Sequence, residues 1–303
     1  MVSAMTDAAV QFLLETQNPD GGWGAEKGRQ SNTEATSMVI LALSTIRDTS
    51  LGERISKGLN WLTTRQNSDG SWPLTDNPKE PSWTTALATL TLAHFPSHRP
   101  KALLGAAWLL RQEGKFNFLA SLLYRFAPQK MAIKLNPLLK GWPWTSGTFS
   151  WVEPTAYSLI ALKKVRPYLQ DKQADERVRQ GELMIYDRMC AGGGWNYGNS
   201  EVMGVDLWPY PDITALALIA LQDHRENEAN QLSLKALKKA LAENDSGLTL
   251  SWSVICFSLY GNDPSPWRKV LMSNYEKTKF LGETKAIALA LIAAGDGVKI
   301  FRV

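Results

Sequence analysis

An all-α fold, an α/α toroid of six outer and six inner helices, is what this sequence predicts, and three observations carry that expectation. The first is a repeated apolar helix. Residues 212–221 read DITALALIAL. The same type recurs at 36–43 (TSMVILAL), 85–92 (TALATLTL), 155–162 (TAYSLIAL) and 284–291 (TKAIALAL), with 252–259 (WSVICFSL) as a degraded copy. A helix that is apolar all round has no side to show to water, so the copies must pack on one another and be shielded. The second is an amphipathic helix before each copy, with charges such as Glu53, Arg54, Lys57 and Arg65. The third is a turn between the two members of a pair, as in Asn18-Pro-Asp-Gly-Gly-Trp23 and Asn67-Ser-Asp-Gly-Ser-Trp72. Proline and glycine break helices there.

In order along the chain, residues 5–17 are expected as a helix, 18–23 as a turn, and an inner helix follows around 36–43. The second pair is 55–66 and 84–94 across the turn 67–72. The third opens with 101–112 and is interrupted by an insertion, 114–144, before the inner helix that follows Glu153. The fourth runs 178–189, turns at Gly192-Gly-Gly-Trp195, passes a long polar and aromatic loop to Pro211, and enters the Asp212 helix. The fifth is 232–242 with 250–260, and the sixth 266–277 with 283–294. The amphipathic members form an outer ring and the apolar members an inner ring of parallel helices. The repeat runs from the first residues to the last, so one toroid domain over 1–303 is expected, although the length alone would allow two.

Bulk composition narrows the class. The net charge of +4 is mild and the 44% hydrophobic content ordinary for a soluble domain. Cys190 and Cys256 lie far apart and are expected as buried free thiols, which fits a reducing compartment. No signal-type start and no apolar run of about 18 residues is present, so a cytoplasmic or peripheral-membrane location is expected. The unusual feature is the twelve tryptophans.

The insertion carries Lys115, Arg125, Lys130, Lys134 and Lys140 with no acidic residue between 115 and 140. Between them stand Phe116, Phe118, Leu119, Leu122, Leu123, Phe126, Met131, Ile133 and Leu135. A basic amphipathic segment suits a membrane surface or a lid over a lipid-soluble substrate. A solvated loop on the outside of the toroid is the plain alternative. The chain shows no patterned array of phosphate-binding residues, so nucleic acid is not an expected partner.

The turns resemble the "QW" repeats of triterpene cyclases. Gly58, Trp61, Leu62, Gln66, Gly70 and Trp72 carry the likeness, and Phe12, Leu13, Gln17, Gly21 and Trp23 match nearly as well. Gly181, Met184, Ile185, Gly193 and Trp195 keep the register with Met189 where the glutamine belongs, and Gly105, Trp108, Leu109 and Gln112 are a worn third copy. The resemblance covers almost the whole chain. It implies the toroid of terpene cyclases and protein prenyltransferases, squalene-hopene cyclase-like, with the glutamine and tryptophan tying neighbouring outer helices together.

For activity, the resemblance points to class II terpene cyclases, which protonate an alkene or epoxide with the aspartic acid of D-x-D-D-T-A or D-C-T-A. Asp212-Ile213-Thr214-Ala215 is similar to the second form and puts Asp212 on the proton donor. Tyr210 and Ile213 stand where the bacterial enzymes have their other two aspartates, and those enzymes have two toroids. Nothing matches the prenyltransferase zinc set: His94, His98 and His224 have no ligand spacing. No DDxxD-type stretch is present either, so no metal or organic cofactor is expected.

A proton donor to an alkene must be neutral before it reacts, which takes desolvation and a tuning partner. Asp212 sits where an inner helix begins, and so do Glu34 and Glu153, so a helix N-cap is the alternative role. Trp83, Trp151, Trp208, Tyr210 and Trp252 lie at or just before inner-helix starts and are expected to converge on one cavity. Their faces would stabilise a carbocation. A packed aromatic plug is the alternative. Trp23, Trp72 and Trp195 are structural turn residues.

The reading is therefore a class II-like isoprenoid cyclase. On that resemblance Asp212 would be the acid, Tyr210 or Glu153 its tuning partner, and Trp83, Trp151, Trp208 and Trp252 the lining of the substrate cavity. A non-catalytic toroid that binds a lipid or a protein stands beside it. A deep apolar cavity with Asp212 at its wall favours the enzyme, and a filled toroid favours the second reading.

Overall fold

The repeated apolar helices close into one ring. The structure, a computed structural model, describes residues 2–303 apart from 77–78, 128–133, 170 and 172. The inner helices are α2 (Thr33–Ser44), α4 (Thr84–His94), α7 (Val152–Val165), α9 (Pro211–Ala220), α11 (Gly247–Tyr260) and α13 (Thr284–Ala294). The outer helices are α1 (Val2–Glu15), α3 (Gly52–Thr64), α5 (Arg99–Arg111), α8 (Gln173–Asp187), α10 (Glu228–Ala240) and α12 (Ser265–Thr278). α2 packs on α4, α4 on α7, α7 on α9, α9 on α11, α11 on α13, and α13 back on α2. This ring is the physical answer to sequence with no polar stripe: every face of an inner helix meets another helix.

Each outer helix after the first packs on the inner helix that precedes it in the chain, and α1 packs on α13 and α12. The first helix thus shields the last inner helix, which brings the two ends of the chain together.

The turns hold the pairs. The Trp23 indole donates to Leu13 O at 2.7 Å, Trp72 to Leu62 O at 2.8 Å and Trp195 to Ile185 O at 2.6 Å. Their backbone N–H groups donate to Thr36, Thr85 and Thr214 Oγ1, each at 2.9 Å. A buried indole therefore spends its one donor on the outer helix before it while its amide fixes the inner helix after it. Gln17 Nε2 donates to Gly21 O at 2.8 Å and across to Arg54 O of α3 at 3.0 Å, and Gln66 repeats this with Gly70 and Lys101.

The Trp23 ring leans on the next outer helix at Gly58, where an added Cβ would lie 2.8 Å from the ring and 2.9 Å from Ile40. Gly58→Ala is expected to cost about 1–3 kcal/mol, the scale of overpacking a filled site. Urea denaturation reads it, and an unchanged midpoint would contradict the close fit.

The structure corrects the third turn. Trp142, read within the insertion, is its tryptophan: its N–H donates to Thr155 Oγ1 at 2.9 Å and its indole to Leu109 O at 2.8 Å. In the other turns 10 residues separate the indole from its acceptor, and in this one 33 do. That distance along the chain is what hid it. Arg177 closes the neck, donating to Gln112 O at 2.7 Å and Gly141 O at 2.9 Å with its guanidinium 3.4 Å from the Trp142 ring centre.

Within the insertion, α6 (Phe118–Phe126) exposes Phe118, Leu119 and Phe126. Lys130, Met131 and Ile133, counted with its basic and apolar residues, lie outside the described residues. No described helix is long and apolar enough to cross a membrane. In the fourth loop a short antiparallel hairpin pairs β1 (Glu201–Val202) with β2 (Val205–Asp206).

The C-terminal ends of the inner helices are covered by the end of the chain. Gln222 Nε2 donates to Phe301 O at 2.8 Å and Lys164 Nζ to Arg302 O at 2.9 Å. Phe301 is fully buried and meets Trp252 with ring centres 5.2 Å apart.

Candidate functional site at the N-terminal ends of the inner helices

Four charged residues begin four of the inner helices. Glu34, Glu153 and Asp212 are each the second residue of α2, α7 and α9. None of them is an N-cap. Asn32 caps α2 through its side chain, while α7 and α9 start from Trp151 and Tyr210 with no side-chain cap bond. The capping role set against Asp212 is thereby corrected. A first-turn carboxylate is still favoured by the helix N-terminus.

The fourth is Lys285, the second residue of α13, which the sequence reading missed. That reading laid Thr284 on Thr36. By helix position Thr284 stands instead with Thr33, so that TKAI overlies TEAT and Lys285 overlies Glu34. Sequence built from Ala, Ile and Leu fits itself in several registers, and packing selects one. The signal was present in the shared Thr-x-Ala start. In α4 the matching place, two before the turn-bonded threonine, is held by Trp83.

These side chains converge. Lys285 Nζ lies 2.6 Å from Glu34 Oε1 and 3.9 Å from Glu153 Oε1, with side-chain exposures of 16%, 23% and 11% for Lys285, Glu34 and Glu153. Burial pushes the Glu153 carboxyl up to about 7; Lys285 pulls it down, while Glu34 and Asp212 push it further up. For Lys285 burial acts downward, but Tyr157, Glu34 and Glu153 outweigh it and hold the ammonium well above its ordinary range. The cluster thus holds a firmly protonated lysine beside a carboxyl that is half neutral near pH 7.

An aromatic floor lies against it. The buried Tyr157 hydroxyl faces the Lys285 ammonium and has no hydrogen bond of normal geometry. Its ring stacks on Trp83 at 5.4 Å and meets Trp252 at 6.1 Å, and Trp252 meets Phe301. Trp144 closes edge-on against Trp83 at 5.1 Å. These rings contact one another in series across the ring of inner helices. Tyr157, Trp252 and Phe301 are buried, so these rings pack on one another in the manner of an aromatic plug.

Of the expected lining residues, Trp83 and Trp252 therefore belong to the floor. Trp151 turns outward, its ring 6.0 Å from Phe149 and packed near Gly198. Trp208 is 85% exposed on the fourth loop and is not brought to the others. Its position before α9 was right, but the proline-bounded loop carries the side chain away. Tyr210 is half exposed with its ring 5.6 Å from Tyr197. Tyr197 is a second phenol, beside Tyr157, that feels the site: burial first, then Glu153 and Asp212, push its hydroxyl up.

Asp212 has a measurable part in the cluster. Its charge is one of those that raise Glu153, so Asp212→Asn is expected to lower the Glu153 titration midpoint while leaving melting unchanged. Carboxyl-carbon NMR across pH reads this. A midpoint that does not move would remove Asp212 from the cluster.

At the opposite end, Glu182, Asp223 and His224 are close enough together to hold a metal ion. The Lys163 ammonium already sits among them, 2.6 Å from both carboxylates and 2.8 Å from Ala220 O. Its three donors are used, and it ties α7 to α8 and α9. Cys190 and Cys256 are buried and free.

Residues 1–77 match the family described as the squalene-hopene cyclase C-terminal domain. Among curated proteins none matches by sequence. Solved structures are similar over nearly the whole chain. A variant of the type II terpene cyclase MstE from Scytonema, in complex with its substrate geranylgeranyl dihydroxybenzoate, is 14% identical with a TM-score of 0.59 and covers 99% of this chain and 98% of its own. An inactive variant of an α-1,6-mannanase of Salegentibacter, in complex with α-1,6-mannotriose, is 11% identical with a TM-score of 0.64, covering 97% and 98%. The cellobiose 2-epimerase of Spirochaeta thermophila is 9% identical with a TM-score of 0.62, covering 98% and 97%. At these identities the likeness is one of fold.

Proposed function

We propose that this chain, a squalene-hopene cyclase-like α/α toroid, is a metal-independent cyclase of a hydrophobic isoprenoid, started by proton transfer from Glu153 at the mouth of the inner ring. The observation that carries the proposal is a buried carboxyl raised to about 7 that borders aromatic rings. The acid is thus moved from Asp212 to Glu153. Burial keeps the proton on Glu153 before reaction. When it leaves for an epoxide oxygen or an alkene carbon, Lys285 at 3.9 Å stabilises the carboxylate that remains. The faces of Trp83, Tyr157 and Trp252 are placed to stabilise positive charge on the substrate. On this reading the substrate lies across the mouth, over the packed rings of Tyr157 and Trp252.

The test is incubation of the purified protein with a panel of polyprenyl alkenes and terminal epoxides, with products read by mass spectrometry. Cyclised product that disappears in Glu153→Gln supports the proposal. Folded protein that gives no product with any member sinks it. The packing of these rings on one another favours a second reading, a toroid that binds a lipid or protein without turnover, and polyprenol binding with no product is its signature.

The exposed face of α6 fits the same class of substrate. With Arg125 on the same helix as the exposed Phe118, Leu119 and Phe126, we expect binding to anionic vesicles that falls steeply with salt and with charge reversal of Arg125. No co-sedimentation at low salt would end the peripheral-membrane reading.

A further inference from the structure

A cavity of about 100 Å³ lies outside the mouth, between the insertion and the fourth turn. Trp151 forms one wall, and its other neighbours there include Phe116, Phe149 and Leu139. Two cations line it. Lys115 is exposed at the rim, and Arg188 is 97% buried, with 3% of its surface exposed. Among the described residues Asp187 is the one hydrogen-bond partner of the Arg188 guanidinium, bonded to a single Nη. The Asp187 carboxylate also accepts from Asn136 N at 2.9 Å, so it is shared with the insertion backbone. A guanidinium has five donors in a planar fork. Asp187 takes one of them, and an arriving oxyanion would meet the remaining N–H groups as charge-assisted donors.

Much of the rest of the wall is aromatic or aliphatic, with Ser150 and Asn199 as its other polar side chains. Phe116 and Phe149 have ring centres 5.7 Å apart, and Trp151 follows Phe149 at 6.0 Å. A cavity of this order of size takes one small ring, as apolar cavities of roughly 150 Å³ take benzene. We infer that this cavity binds a small organic carboxylate, its oxygens on Arg188 and Lys115 and its apolar body between Phe116, Phe149 and Trp151. The site is separate from the proton chemistry of Glu153, since binding at it needs no turnover. The same carboxylate could be a free acid or the head of a polyprenyl chain, and the probes below separate the two.

The experiment is titration of the full chain with benzoate, benzamide, inorganic phosphate and farnesoic acid, followed by calorimetry and by tryptophan fluorescence. Benzoate is expected to bind at least about tenfold more tightly than benzamide, the scale of one charge-assisted hydrogen bond. Phosphate, which lacks the apolar body, should bind more weakly than benzoate. Farnesoic acid tighter than benzoate identifies the head of a chain, and farnesoic acid weaker than benzoate identifies a free small acid. Lys115→Glu alters an exposed side chain and should remove the preference for benzoate over benzamide without moving the melting temperature. Arg188→Gln should do the same where the protein folds. Equal affinity for benzoate and benzamide overturns the proposal. So does phosphate binding as tightly as benzoate, or a benzoate preference that survives Lys115→Glu.

Discussion

Glu153→Gln is expected to reduce product formation by about 10²–10⁴-fold at pH 6, the range over which a positioned general acid contributes. The amide keeps the size and cannot give a proton. In the native protein the activity should be full below about 7 and fall as pH rises through that value, because only the neutral carboxyl can donate. The same shift has a stability sign. Folding raises the Glu153 pKa from 4.5 to about 7, so the native state holds a proton that the unfolded chain releases. Stability should therefore fall as pH rises across that window, by roughly 3 kcal/mol in total. Glu153→Gln removes this contribution, so its stability should change less between pH 5 and pH 8 than that of the parent. Urea denaturation at the two pH values, beside product analysis, reads both effects. A variant as active as the parent, or one with an unchanged pH dependence of stability, would remove Glu153 from the role of proton donor.

Trp72→Ala is expected to destabilise the fold by about 3–5 kcal/mol, the scale for removing a fully buried tryptophan. Trp72 has no exposed surface, donates to Leu62 O, and holds Thr85 through its backbone N–H. The loss should show as a lower denaturation midpoint, and any residual folded protein should keep its site chemistry, since the four charged side chains lie on other helices. A variant that melts like the parent would contradict the assignment of this residue to the framework. Trp142→Ala should behave alike, because its bonds to Leu109 and Thr155 repeat the pattern.

The six apolar repeats and their amphipathic partners determined the ring from sequence alone. An apolar helix with no polar stripe has one stable solution, burial among its copies. The turns at Trp23, Trp72 and Trp195 were legible because a glycine stands two residues before each tryptophan. What needed tertiary structure was everything set by which residues meet. Trp142 was hidden because its acceptor lies 33 residues back across the insertion. Lys285 was hidden because an Ala-, Ile- and Leu-rich helix overlaps itself in more than one register. The rise of the Glu153 carboxyl above Asp212 in importance came from burial and from charges on three other helices, Glu34, Asp212 and Lys285, none adjacent to it in sequence. Whether aromatics at helix starts line a cavity or fill it depends on side-chain direction and the width of the ring. The sequence placed Trp83, Trp208 and Trp252 near one end of the ring, and only packing sent Trp208 into solvent and the other two against Tyr157.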